Sequence, residues 1–279
     1  MKQALKPVIK WSGSKRLVAA SIARHFPDAR HFFDPFVGGG SLLPFRPCQP
    51  ATAGDIMPEL IELWNLIKKQ PQLVVREYRN RWQDRLDHGH TVYYDIRERF
   101  NKYRDPLDFL FLSRTCVNGL IRFNADGNFN NSLHHTRPGI TPERLEKIVD
   151  QWHEVIQSVQ FRTADYQATL NEAKRGDLVF LDPPYFGTRG RYLPNSFTIE
   201  RFLQQLEDLN CKDVHWVLTF DGGAGERQYT RAIPPELYKH EFSIASGNST
   251  FCKVMDKSVD AVRETVYLNF APVAALPLQ

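Results

Sequence analysis

The chain has 279 residues, 42 % hydrophobic and 24 % charged, with a net charge of +4. That balance makes disorder not the default reading and fits one large α/β domain, or a core domain carrying a substantial insertion. The mild positive charge suits a polyanionic partner without demanding one.

No apolar run approaches the roughly 20 residues needed to cross a bilayer. The start, MKQALKPVIKW, lacks a signal peptide's apolar middle. A cytoplasmic protein without membrane attachment is therefore expected. Cys48, Cys116, Cys211 and Cys252 stand far apart with no Cys-x-x-Cys pair, which argues against a disulfide framework and a zinc site. Four buried, inert thiols are expected.

In chain order, residues 14–25 carry apolar positions at helical spacing, stopped by Pro27. His31-Phe32-Phe33-Asp34 is a short strand-like run ending in an acid, and Ala51-Thr52-Ala53 is a second, ending at Gly54-Asp55. Helical patterns follow at about 58–69, 72–87, 91–103 and 106–116. The stretch 117–140 is rich in Asn, Arg and His, and its Asp126-Gly127 between β-compatible runs predicts a hairpin. Thr141-Pro142-Glu143 opens a helix, with Thr141 as the capping residue. Strand-like runs come at 158–163, 177–182 and 214–220, with a helix at 198–209 and two closing β runs at 237–245 and 262–270. Alternating strands and helices predict a mostly parallel sheet covered on both faces, with an antiparallel edge. The stretch 57–150 interrupts that alternation and reads as an insertion.

Two motifs carry chemistry. The first is Asp34-Pro35-Phe36-Val37-Gly38-Gly39-Gly40-Ser41, a glycine turn at a strand's carboxyl end, where backbone can approach a ligand. Asp55, ending the next strand, is placed to accept hydrogen bonds from ribose hydroxyls. Such a pair also occurs in turns that bind nothing. The second motif, Asp182-Pro183-Pro184-Tyr185, follows Asp177-Leu178-Val179-Phe180-Leu181. An exocyclic amine on an aromatic base is a poor nucleophile because its lone pair is delocalised into the ring. Two acceptors on its N–H bonds, the Asp182 carboxylate and the Pro183 carbonyl, would localise that lone pair. Tyr185 offers a face for stacking a base.

The ordered set resembles the Dam-type (α group) DNA adenine N6-methyltransferases. It comprises Lys10-Trp11-Ser12-Gly13-Ser14-Lys15, then Asp34–Ser41, then Asn118-Gly119-Leu120-Ile121-Arg122-Phe123-Asn124 with Gly127, Phe129 and Asn130, then Asp182–Tyr185. The resemblance implies a Rossmann-like methyltransferase sheet plus an inserted helical and β-hairpin target-recognition subdomain. Residues 1–56 and 151–279 would bind S-adenosylmethionine and catalyse, while 57–150 would recognise the target. It implies that Trp11, Lys15, Asp34, Phe36, Gly38, Gly40, Ser41, Asp55, Asp165 and Asp182 hold the cofactor. Asp182, Pro183, Pro184 and Tyr185 would act on the amine. Lys10, Asn118, Leu120, Arg122, Asn124, Asn130 and Arg137 would meet double-stranded DNA, Arg122 being suited to guanine edges.

The set departs from the family pattern at Val117, where an aromatic is usual, and at Asn131-Ser132, where Val-Pro is usual. The target is therefore not expected to be simply GATC. His134 and His135 lack a metal-ligand partner set and read as hairpin surface. Direct transfer without a metal is expected, by a monomer with which a restriction endonuclease is compatible as a functional partner. Open alternatives are N4 of cytosine as acceptor, methylation of RNA or a protein amide, a non-catalytic DNA-binding protein on the same fold, and a dinucleotide-dependent oxidoreductase.

Overall fold

Apolar runs too short for helices become strands buried on both faces, as helix-covered parallel sheets require. In the computed structural model, which describes residues 3–137, 139–184, 197–220, 233–247 and 262–273, seven strands form one sheet. β1 (Phe32–Asp34), β2 (Ala51–Asp55), β3 (Val159–Thr163), β4 (Leu178–Leu181) and β5 (His215–Phe220) pair in parallel in the order β3-β2-β1-β4-β5. β6 (His240–Gly247) forms the edge, and β7 (Val262–Leu268) runs between β5 and β6, antiparallel to both. The mostly parallel α/β sheet with an antiparallel edge is thus as expected.

The helices follow the apolar periodicity with local departures. The segment expected as one helix over 14–25 begins as a 3-10 turn at Lys15–Leu17, where Lys15 turns into the interior, and continues as α1 (Ala19–Ala23). α2 (Pro58–Lys69), α3 (Pro71–His88), α4 (Thr91–Tyr103) and α5 (Pro106–Thr115) lie within a residue or so of their expected bounds. α6 (Pro142–Val155) starts at its proline, but the Thr141 hydroxyl makes no capping bond. α7 (Tyr166–Leu170) was not foreseen; Asp165 caps it by accepting from the Gln167 N–H. α8 (Ile199–Cys211) is capped by Thr198.

Both ends of the 57–150 stretch join the sheet's own cover. Trp64 on α2 stacks on Phe161 of β3 with 5.6 Å between ring centres, and approaches Trp152 of α6 at 4.9 Å. One apolar core runs from Val8 through these helices to Phe270. Farther out, the fully buried Asp108 of α5 accepts from Arg81 Nε of α3 and Arg99 Nε of α4, each at 2.7 Å. A buried carboxylate is tolerable only when paired and hydrogen-bonded in this way.

Between α5 and α6 the expected hairpin holds only isolated bridges, Cys116 with Leu133 and Phe123 with Phe129, rather than regular strands. Scattered backbone bonds still join the arms, such as the Val117 N–H to the Ser132 carbonyl at 2.8 Å and the Asn130 N–H to the Arg122 carbonyl at 3.0 Å, and side chains add to them. Asn131 Nδ2 donates to the carbonyls of Val117 and Leu120 at 2.9 and 2.8 Å. Asn101 of α4 bonds both the N–H and the carbonyl of Phe129. The thiols are a correction: Cys116 is buried, Cys48 half-buried, and Cys211 exposed at the end of amphipathic α8. Cys252 lies outside the described residues. Among those residues no helix is long and apolar enough to cross a membrane.

Candidate active site

β1 and β4 are sheet neighbours but not consecutive in the chain, so the strand order reverses between them. In such sheets a crevice opens outside the carboxyl ends of the strands at this point. Asp34 ends β1, Asp55 ends β2 and Asp182 follows β4, and all three line a cavity of about 540 Å³. Trp11, Lys15, Phe36, Gly38, Ser41, Asp165, Pro183 and Pro184 line it too. Gly40 does not: at φ +69° it packs behind the wall, where an added Cβ would lie 3.2 Å from Trp152 and Trp64. Tyr185 lies outside the described residues.

The glycine turn is fixed from three sides. Gly38 adopts φ +42°, and a Cβ there would stand 2.5 Å from Trp11 Nε1. Its N–H donates to Asp55 Oδ2 at 3.2 Å, and its carbonyl accepts from Trp64 Nε1 at 3.1 Å. Asp55 also accepts from the Met57 N–H at 3.1 Å. Burial raises the Asp55 carboxyl to about 6 against these backbone donors, so it is ionised at neutral pH.

A buried charge cluster forms the other wall. Lys15 Nζ lies 3.0 Å from Asp182 Oδ1 and 3.3 Å from Glu264 Oε2, with only 1 % of its side chain exposed. Thr219 Oγ1 donates to Asp182 Oδ1 at 3.0 Å. Burial raises the Asp182 pKa, and the Lys15 charge and both hydrogen bonds work against that rise. The Asp182 side chain keeps 21 % exposure, so it can still meet a ligand. Asp34 is raised well above the usual carboxylate range, first by burial and then by the Asp182 charge. Its Oδ1 has no hydrogen-bond partner among the described residues.

Asp165, expected to hold the cofactor, lines the cavity while also capping α7. Phe36 stacks on Tyr166 of α7 at 5.3 Å. Arg104, Phe123 and Gly127 reach the cavity from the hairpin side, with Arg104 Nη2 donating to the Gly127 carbonyl at 2.6 Å. Glu264 and Thr219 join Asp182 from β7 and β5. No local signal marks them, since their partners lie far away in sequence.

Of the residues expected at DNA, Lys10, Asn118, Arg122, Asn124 and Arg137 are exposed, while Leu120 and Asn130 are half-buried. Lys10 packs on Gly119, where a Cβ would stand 2.1 Å from its Cδ. Arg122 donates to the Asn130 side chain at 2.8 Å and its carbonyl at 3.1 Å, so these two act as a pair. Asn124 holds the hairpin turn by accepting from the Asn128 N–H at 2.8 Å, and it also lines the cavity. His134 accepts from the Arg137 N–H.

Comparison with known proteins fits this geometry. Residues 11–204 match the D12 class N6 adenine-specific DNA methyltransferase family. A DNA adenine methylase of Vibrio cholerae is 33 % identical over 202 residues, covering 69 % of this chain and 71 % of the relative. That of Escherichia coli K12 is 31 % identical over 204 residues, 69 % of this chain and 71 % of the relative. The Salmonella typhi protein is 28 % identical over 260 residues, 88 % of this chain and 91 % of the relative. Adenine specificity and enzymatic activity thereby displace the cytosine, RNA, non-catalytic and oxidoreductase alternatives. With its Asp-Pro-Pro turn facing a glycine turn across one crevice, the chain belongs to the D12 class N6 adenine-specific DNA methyltransferases.

Proposed function

We propose that this DNA adenine methyltransferase transfers the methyl group of S-adenosylmethionine to N6 of an adenine extruded from a short motif in duplex DNA. The observation that carries the reading is the meeting of Asp182-Pro183-Pro184 with Asp34, Asp55 and the Gly38 turn in one cavity. The residues present fit that cofactor. Asp55 is an acceptor for ribose hydroxyls, the Gly38 turn lines the cavity without a side chain, and the Asp34 Oδ1 has no donor among the described residues. Trp11, Phe36 and Asp165 complete the enclosure. Bound there, the cofactor supplies an electrophilic methyl group on a sulfonium.

Asp182 does the work on the acceptor. Its carboxylate takes one N–H of the amine, and the Pro183 carbonyl takes the other, so the lone pair is drawn out of the ring. Lys15 keeps Asp182 ionised before the reaction, and burial makes the carboxylate a ready proton acceptor afterwards. Pre-set hydrogen bonds that strengthen as charge builds on nitrogen supply the rate, with water excluded. Extruding the base costs a few kcal/mol, recovered by stacking, for which Tyr185 is the candidate. The insertion of residues 57–150 would present Lys10's neighbours Asn118, Leu120 and Arg122, with Asn130, to the duplex. The enzyme would act as a monomer.

Expression in a methylation-free host followed by single-molecule sequencing tests this reading. N6-methyladenine in one short motif is expected, and Asp182→Ala should abolish it while sparing duplex binding. Soluble, folded protein that leaves no N6-methyladenine would overturn the reading.

A further inference from the structure

A second cavity, of about 880 Å³, is lined by Lys10, the N-terminal segment and α6, and shares no lining residue with the cofactor crevice. Its exposed cations are Lys6, Lys10, Arg137, Arg144 and Lys147, and no described lining residue is acidic. The acids of α6 do not line it, and Glu146 is held by Arg79 at 3.2 Å. Like charges gathered without counter-charges repel one another, a cost that an anion removes. Lys10 registers that crowding: burial and then the charges of Arg114 and Arg137 lower its pKa.

The groove is built rather than incidental. The carbonyl of Leu5 accepts from Arg16 Nε at 2.8 Å, that of Lys6 from Trp152 Nε1 at 2.8 Å, and that of Pro7 from Arg114 Nη1 at 3.2 Å. Three successive residues are thus pinned by three different elements, which fixes one wall. Arg144, Lys147 and Gln151, spaced along one face of α6, make the other. The groove is also continuous with the hairpin, because Lys10 lies on Gly119 and Gly139 lies on the Arg114 carbonyl.

We infer that this groove takes the sugar-phosphate backbone of duplex DNA flanking the target motif, so that the enzyme grips more duplex than it reads. The inference rests on the duplex-DNA reading above. Cations on a fixed wall suit phosphate contacts, which set register and affinity without carrying sequence information. Arg144 and Lys147 are the cleanest probes, being exposed and outside the lining of the crevice.

The test compares wild type with Arg144→Ala/Lys147→Ala on duplexes carrying one target motif, short or extended on both sides, over a range of salt. Removal of two phosphate contacts should lower the slope of log affinity against log salt by about 1.8 and weaken binding of the extended duplex about 30-fold at 0.15 M salt. The short duplex should lose much less, and single-turnover methylation at saturating DNA should keep its rate. An unchanged slope with the extended duplex, in a variant that still methylates, would overturn the groove while leaving the function intact. A wild type that neither binds nor methylates duplex DNA would overturn both. A loss equal for short and extended duplexes would also overturn the flanking role, placing these cations at the motif itself.

Discussion

Lys15→Met removes the buried cation that bridges Asp182 and Glu264. At an effective dielectric of about 20, each partner at about 3 Å contributes roughly 5 kcal/mol of Coulomb attraction, most of it offset by desolvation. What remains after breaking such a pair is a loss of about 3–5 kcal/mol of stability, because Asp182, still bonded to Thr219, and Glu264 lose the opposite charge that offsets their burial. The sign on Asp182 is equally definite. Burial already raises its pKa and Lys15 opposes the rise, so losing Lys15 raises it further. A carboxyl that must be ionised to accept the amine N–H then needs more alkaline solution. We expect the acid limb of the kcat/KM profile to move to higher pH and kcat at pH 7 to fall more than tenfold. Raising the pH should recover part of the activity. Urea unfolding checks stability, and methyl-transfer rates from pH 5.5 to 9 check the titration. A stable Lys15→Met enzyme whose acid limb coincides with wild type would refute the argument.

Other perturbations follow from the same geometry. Gly38→Ala combines left-handed strain of about 1–2 kcal/mol with overpacking of about 1–3 kcal/mol against Trp11, so denaturant unfolding should show a loss of about 2–5 kcal/mol. Adding Trp11→Ala should relieve the overpacking but not the strain. Asp55 titrates at about 6, so cofactor affinity by calorimetry should fall about tenfold from pH 7 to pH 5, and Asp55→Asn should flatten that dependence. Asp34 has a folded pKa raised above its unfolded one, so its stabilising contribution is full at acid pH and lost as pH rises through the raised value. Asp34→Asn should therefore raise Tm at pH 8, by about 2–4 °C for each kcal/mol of relieved burial cost, while weakening cofactor binding.

Much of the fold was legible because its strands are short, apolar and punctuated. Leu178–Leu181 and His215–Phe220 admit few other readings, and the Asp34 and Asp182 turns mark the carboxyl ends where a crevice must open. What stayed hidden depends on distance or on side-chain bonding. α7 is five residues long and owes its start to Asp165, a cap that composition does not single out. The hairpin is held by Asn131, Asn101 and Arg104 together with scattered backbone bonds, so its turn was visible but its irregular arms were not. Asn131, which stands at a departure from the family pattern, is a buried clamp at the hairpin's base. Lys15 reads as a pocket residue until Asp182 and Glu264 are brought to it.

The reversed direction of β7 governs when the site can come into being. A parallel strand delivers its last residues to the crevice, whereas β7 delivers its first, and Glu264 beside Thr265 sits opposite Phe220 at the outgoing end of β5. The acid that completes the Lys15 cluster therefore comes from a strand made after all five parallel strands, although its cation precedes them. During translation the sheet's parallel half can pair while this corner still lacks its second acid. Final closure of the charged wall thus waits on a strand that runs against the others.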